Sequence, residues 1–353
     1  MSALRNRAIA AFRRLRSALA AARGTDAEYA RRLLNEKGQF DECLDVHALP
    51  DIFHYWSNRY IRPMFEPFGF ISPNDFFLRY VRGKCQGTHG RTTTIVSIGA
   101  GNCDLETELA EQLVADGFQD FRIDCLEINE NMIERARARA GDAALAGKLN
   151  FLQQDFNRWR PQAGQFDVVM ANQSLHHVLE LEHLFDSIRQ GLAPGGVFLT
   201  SDMIGRNGHQ RWPEALELVN DFWQELPESY RYNQLLKRRE ASYINYDCST
   251  SGFEGIRAQD ILPLLLERFN FELFIPYGNV VFVFVDRPFG HNFDASGEWD
   301  RDFIDRVHAA DEEAMFAGRI KPTSMLAAMT LEPVETQLRD PRLTPRFCVR
   351  PPG

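Results

Sequence analysis

Apolar and polar positions change rhythm near residue 93. From there, short apolar runs rich in β-branched residues alternate with longer segments whose apolar residues recur every three to four positions. "TIVSIG" (94–99), "FRIDCLEI" (121–128), "LNFLQQD" (149–155), "FDVVMANQS" (166–174) and "VFLTSDMI" (197–204) read as strands. "DLETELAEQLVADG" (104–117), "NENMIERARARAG" (129–141) and "LEHLFDSIRQGL" (181–192) read as amphipathic helices between them. Strands that are apolar on both faces need cover on both faces, so the pattern predicts an α/β fold with a parallel, doubly wound sheet.

The flanks follow other rhythms. "DIFHYWSNRYIRPMFEPFGFISPNDFFLRYV" (51–81) is aromatic-rich, and Pro63, Pro67 and Pro73 divide it into short helices. Leu4, Ala8, Phe12, Leu15 and Leu19 share one face of an arginine-bearing segment, which predicts an amphipathic helix for packing or for oligomerisation, as in a homodimer. Its alanine-rich face is too weakly apolar for strong membrane binding. After the fifth strand the pattern lapses into a mostly helical block. "IRAQDILPLLLERF" (256–269) then resumes the core as a helix, and "NFELFIPYGNVVFVFVDR" (270–287) reads as a hairpin turning at "YGN". The expected organisation is a helical extension (1–90), the sheet core (91–205), a helical cap insertion (206–255), a closing helix and hairpin (256–290) and a helical tail (291–353). About seven strands are expected, the last antiparallel.

Composition narrows the class. The 353 residues suit one large decorated domain or two small ones, and 44% hydrophobic with 25% charged residues is ordinary for a globular protein. A net charge of -9 speaks against a nucleic-acid partner, because phosphate neutralisation needs a basic surface. The six cysteines form no C-x-x-C pair, which excludes the usual zinc-ribbon and thioredoxin spacings and predicts free thiols in a reducing, cytoplasmic setting. No apolar run has the length of a bilayer span, so no stable membrane insertion is expected.

The candidate chemistry begins at the bend after the first strand. Gly99 and Gly101 stand where ligands bind in open α/β sheets, with a helix N-terminus behind them. A dinucleotide fingerprint needs glycine or alanine at position 104; Asp104 stands there and would repel a pyrophosphate. S-adenosylmethionine carries cationic groups instead and tolerates an acid. Glu127 ends the second strand, where an acid accepts ribose hydroxyls, and Ile128 beside it suits an adenine face. Asp155 ends the third strand within reach of an adenine amino group, and Asn172 and Gln173 end the fourth. Asn102, Asp104 and Phe156 complete the candidate cofactor set.

These strand ends, with "FDVVMANQSLHHV" followed by "LAPGGVFLTSD", resemble the core of the class I S-adenosylmethionine-dependent methyltransferases over residues 94–204. The resemblance implies a Rossmann-like sheet and S-adenosylmethionine as cofactor. It also implies that the glycine loop cradles the methionine part, that the acid after strand two holds the ribose, and that the acid after strand three holds the adenine. Two positions depart from the family. Ser97 occupies the place of an acid that contacts the methionine ammonium, with Asp104 or an N-terminal acid as a substitute, and Cys103 replaces a frequent third glycine.

The predicted activity is methyl transfer to a small organic acceptor, oxygen favoured, with a protein or glycan chain or a non-catalytic binding role as the alternatives. A hydroxyl acceptor must lose a proton, so histidines and acids at the sheet edge are the candidate catalytic groups: His177, Asp202 and His209, with His176 beside them. Tyr55, Arg59, Tyr243 and Tyr246 are candidate substrate contacts. No metal is expected, because Asn172 and Gln173 stand where clustered carboxylates would be needed at the fourth strand end.

Overall fold

Eight strands form the central sheet of the computed structural model, which describes residues 27–38, 48–88, 90–141 and 145–351. In chain order the strands are β1 Thr93–Ile98, β2 Phe121–Glu127, β3 Leu149–Gln153, β4 Phe166–Asn172, β5 Leu192–Met203, β6 Tyr232–Asn233, β7 Arg238–Arg239, β8 Asn270–Tyr277, β9 Ser324–Thr330 and β10 Gln337–Leu338. β6 and β7 make a separate small hairpin; the large sheet runs β10-β8-β9-β5-β4-β1-β2-β3. β9 is antiparallel to both neighbours, and the other pairings of that sheet are parallel. The strand order reverses between β1 and β4, which opens a crevice at their carboxyl ends.

The helices are α1 (27–38), α2 Asp51–Trp56, α3 Arg62–Phe65, α4 Pro73–Gly87, α5 Asp104–Ala115, α6 Glu130–Arg139, α7 Leu181–Gly191, α8 Pro213–Glu225, α9 Ala258–Arg268, α10 Val281–Val285, α11 Glu298–Phe316 and α12 Pro345–Cys348. A π-helical turn at Ser57–Ile61 joins α2 to α3. Local chemistry starts several of them. Ser72 caps α4 by accepting from Asp75 N at 3.1 Å, with Pro73 in the first turn, and Asn129 caps α6 by accepting from Asn131 N at 2.9 Å.

Period-two alternation sends Ile95 of β1 to one face of the sheet and Val96 to the other. On the first face lie α4, α5, α10 and α11; on the second lie α7 and α9. Leu181, Leu184, Phe185 and Ile188 of α7 are fully buried there, each contributing about 1.5–3 kcal/mol by leaving water.

Three expectations are corrected. The run "VVFVFV" is not the second strand of a hairpin but the short helix α10: Asp311 of α11 accepts from Asn279 N and Val280 N at 2.8 and 3.1 Å, capping its start. The place beside β8 is filled by β9 instead. Residues 291–353 are therefore no tail, since β9 lies inside the sheet between β5 and β8. "SMLAAMT" is poor in strand-favouring residues and reads weakly, yet burial on both faces decides for strand. The insertion 206–255 is helical only in α8 and some 3-10 turns, the rest being loops and the β6–β7 hairpin. With the two-residue β10 the sheet has eight strands, in line with the expected count of about seven. The amphipathic helix expected at Leu4–Leu19 lies outside the described residues. Among the described residues no helix is long and apolar enough to cross a membrane.

Candidate cofactor and acceptor site

After β1 the chain turns through Gly99 (φ +68°) and Gly101 (φ +58°). A Cβ on Gly99 would lie 2.6 Å from Ser174 Cβ, so the loop after β4 packs directly on bare backbone. Cys103, at φ +55°, completes the turn, and α5 begins one residue later. Glu127 holds this turn from the end of β2. Its Oε2 accepts from Gly101 N at 2.9 Å, and its Oε1 accepts from Ile128 N and Asn129 N, both at 2.8 Å. Burial raises the Glu127 pKa, and those three donors oppose the rise.

A cavity of about 1630 Å³ opens over this edge of the sheet. Its floor includes Gly99, Gly101 and Glu127, and its far wall comes from the insertion through Tyr243, Ile244 and Tyr246. Single small-ligand sites usually measure about 300–1,000 Å³, so there is room for two molecules. Glu106 of α5 also lines the cavity. Ser97 Oγ donates to its Oε1 at 2.5 Å, while its Oε2 is buried with no hydrogen-bond partner among the described residues. Burial pushes the Glu106 pKa up to about 7.

Beside the glycine turn three histidines meet acids. His176 Nδ1 lies 2.7 Å from Asp202, His177 Nδ1 2.6 Å from Glu36, and His209 Nε2 2.5 Å from Glu254. Burial alone would lower the His176 pKa, but Asp202 and Glu254 outweigh it and raise it to about 10; for His209 burial prevails and the pKa falls.

Residues 95–196 match the family model described as "Methyltransferase domain". The malonyl-[acyl-carrier protein] O-methyltransferase 2 of Ilyobacter polytropus is 26% identical over 196 residues, 50% of this chain and 71% of that protein. A sterol 24-C-methyltransferase of Gibberella zeae is 36% identical over 81 residues, 23% of this chain and only 21% of that protein. The solved S-adenosylmethionine-dependent methyltransferase from Mesorhizobium loti shares 15% identity over 71% of this chain and 97% of its own, with a TM-score of 0.38, and adds nothing to the topology above. Residues 95–196 form a methyltransferase domain of the class I S-adenosylmethionine-dependent kind. Its cofactor is S-adenosylmethionine, and the residues present fit that group. The orphaned Glu106 oxygen suits an ammonium, and Asp104 stands where a pyrophosphate would be repelled.

Every candidate cofactor residue of this methyltransferase lines the cavity except Asp155. Asp155 Oδ1 instead accepts from Tyr29 Oη of α1 at 2.9 Å and from Asn157 N at 3.0 Å. His177, His209, Tyr243 and Tyr246 line the cavity too. Asp202 does not: it is fully buried, accepting from Ser174 N, Leu175 N and Met203 N at 2.7–2.9 Å as well as meeting His176. It holds the loop after β4 rather than facing an acceptor. Tyr55 and Arg59 also miss the cavity. Tyr55 Oη donates to Asp305 of α11 at 2.9 Å and Arg59 pairs with the same carboxylate at 3.3 Å. Residues four apart share a helix face, and here Phe53, Trp56 and Ser57 hold the cavity side.

Sequence reasoning missed Glu106, Tyr29, Glu36 and Glu254. Glu106 had a visible signal: it stands on the stripe with Leu109, Ala110 and Leu113, a carboxylate at i of an i, i+3, i+4, i+7 apolar face. The other three lie far from the glycine turn in sequence, and no local pattern marks them.

Proposed function

We propose that this methyltransferase methylates an oxygen of a small organic acceptor with an apolar body, enclosed between the sheet edge and residues 206–255. The observation that carries the reading is one continuous cavity. It has the glycine turn at one end and Leu235, Leu236, Ile244 and Tyr246, 42–61% exposed, around its mouth. Exposed apolar side chains grouped at a pocket mouth mark a surface that meets an apolar ligand.

In this reading Glu127 holds the ribose hydroxyls, and Glu106 takes the ammonium in place of the acid that Ser97 lacks. The Gly99–Gly101 backbone carries the methionine part, and Ile128 and Phe156 flank the adenine. Held there, S-adenosylmethionine would supply its sulfonium methyl to the acceptor oxygen, the hydroxyl proton passing to the His177 imidazole on the cavity wall and S-adenosylhomocysteine departing as the leaving group. Alignment and exclusion of water supply most of the acceleration. Relatives named for an oxygen and for a carbon acceptor leave the atom to the chemistry of the wall. The His177 imidazole on that wall gives a hydroxyl a hydrogen-bond partner, which favours oxygen.

The test is incubation with methyl-labelled S-adenosylmethionine and a fractionated cell extract, followed by mass analysis and carbon NMR of the labelled product. A methoxy carbon on an organic-soluble small molecule is expected. Label on carbon, or on protein or polysaccharide, would overturn the proposed acceptor.

A further inference from the structure

The two ends of the insertion cross at a pair of glycines. Gly208 (φ +65°) donates its N–H to Gly255 O at 2.8 Å, and a Cβ on Gly255 (φ +64°) would lie 3.0 Å from Gly208 N. Only bare backbone permits that crossing. It sets His209 and Glu254, the neighbours of these glycines, face to face with Nε2 2.5 Å from Oε1. His209 is itself held at φ +56°, a conformation that costs a non-glycine residue free energy, and its carbonyl accepts from Arg211 Nη1 at 2.9 Å.

Across from them stands His176, whose Nε2 is 3.5 Å from the same Glu254 oxygen. One ligand atom each from His176, His209 and Glu254 lies within 4.8 Å of the others. An ion at about 2.0–2.2 Å from each of three such donors sets them roughly 3 Å apart, and the present separations bracket that value. The outer contacts have the matching form. His176 turns Nδ1 to the fully buried Asp202 at 2.7 Å, which fixes the ring and aims Nε2 inward, as carboxylates behind metal-bound histidines do. All three donor residues line the cavity.

We propose that His176, His209 and Glu254 bind one divalent first-row transition-metal ion of the zinc, manganese or cobalt kind. Two imidazoles and one carboxylate suit such ions better than magnesium or calcium, which prefer oxygen alone. The ion ties both ends of the insertion to the loop after β4 and keeps open positions on the cavity side. Asp202 is a positioning residue for His176. The expectation of no metal rested on the end of β4, whereas two of the three donors come from the insertion. The proposal concerns binding and stands apart from the choice of methyl acceptor.

The test titrates the chelator-stripped full-length protein with Zn²⁺, Mn²⁺ and Co²⁺ by calorimetry and native mass spectrometry. The Co²⁺ form is also read by its visible absorption. One ion per chain is expected for at least one metal, with Co²⁺ bands of nitrogen–oxygen ligation. His209→Ala and Glu254→Gln should each abolish that stoichiometric binding, and Asp202→Asn should weaken it by about 10–100-fold. The melting-temperature rise caused by S-adenosylhomocysteine checks that each variant is folded. No stoichiometric ion on the wild type, or equal binding by wild type and a folded His209→Ala or Glu254→Gln variant, would overturn the site.

Discussion

Ser97 Oγ donates to Glu106 Oε1 at 2.5 Å beside the cofactor cavity, leaving Glu106 Oε2 buried without a partner among the described residues. A serine on β1 and an acid on α5 together occupy the place where the resemblance to the methyltransferase family led one to expect a single acid on the strand. Burial raises the Glu106 pKa to about 7, so the empty site holds the proton near neutrality, whereas a bound ammonium favours the carboxylate. S-adenosylhomocysteine affinity should therefore rise as pH increases from about 6 to about 8, with a proton released on binding. Calorimetry in buffers of different ionisation enthalpy reads both. Glu106→Gln should flatten the dependence and weaken binding at least tenfold at the higher pH, since a charge-assisted hydrogen bond contributes about 1.5–3 kcal/mol. An unchanged pH profile in that variant would remove Glu106 from the site.

The same shift bears on stability. Because the folded-state pKa lies above the unfolded value of 4.5, the folded chain holds the extra proton between the two values. The contribution of Glu106 is fully present below about pH 4.5 and is lost as pH rises through about 7, amounting to at most about 3 kcal/mol. Denaturant unfolding of the cofactor-free protein across that range should show Glu106→Gln losing less stability than the wild type.

Glu127 holds the turn and, in the proposed function, the cofactor's ribose. Glu127→Gln keeps the shape and should weaken S-adenosylhomocysteine at least tenfold with a small change in melting temperature. Glu127→Ala leaves the N–H groups of Gly101, Ile128 and Asn129 without this acceptor, each costing about 1–3 kcal/mol if buried and unmet. Its melting temperature should drop well below that of the glutamine variant. Equal thermal stability of the two would mean the turn does not depend on the carboxylate.

Asp311 decides that "VVFVFV" is a helix. Removing its carboxylate in Asp311→Ala takes the acceptor from Asn279 N and Val280 N, at an expected cost of about 2–4 kcal/mol in denaturant unfolding. S-adenosylhomocysteine should still bind the folded fraction with wild-type affinity, because Asp311 does not line the cavity. A loss under about 0.5 kcal/mol, the range of ordinary surface changes, would deny the cap its role.

Leu235 and Leu236 form the exposed tip between β6 and β7. Leu235→Asp combined with Leu236→Asp should cut transfer of labelled methyl to organic-soluble acceptors several-fold while leaving cofactor affinity within about twofold, since exposed positions cost little stability. Transfer at the wild-type rate would show that the acceptor does not pass the apolar mouth.

The core from β1 to β5 was legible because each element carries its own signal. Ile95, Val96 and Ile98 are buried on two faces of one strand, and the stripe of Leu181, Leu184, Phe185 and Ile188 has helical spacing. Gly99, Gly101 and Glu127 were legible because a bend with bare backbone and an acid at the next strand end are local patterns. Tyr55 and Arg59 were misplaced because residue type alone does not tell which face of a helix meets the cavity. Asp155 was misread because its partner, Tyr29, comes from α1, 126 positions away in sequence.

By itself the sequence determined the parallel core, the glycine turn and the choice of S-adenosylmethionine over a dinucleotide, since these rest on periodicity and on the charge at Asp104. The tertiary structure alone decided that β9 rather than "VVFVFV" enters the sheet beside β8. It also decided that Ser97 of β1 meets Glu106 of α5, and that His176, His209 and Glu254 converge. The physical reason is common to all three. A strand's place, a carboxylate's empty lone pair and a shared ligand position are set by what packs across the chain, and burial outweighs local propensity wherever the two disagree.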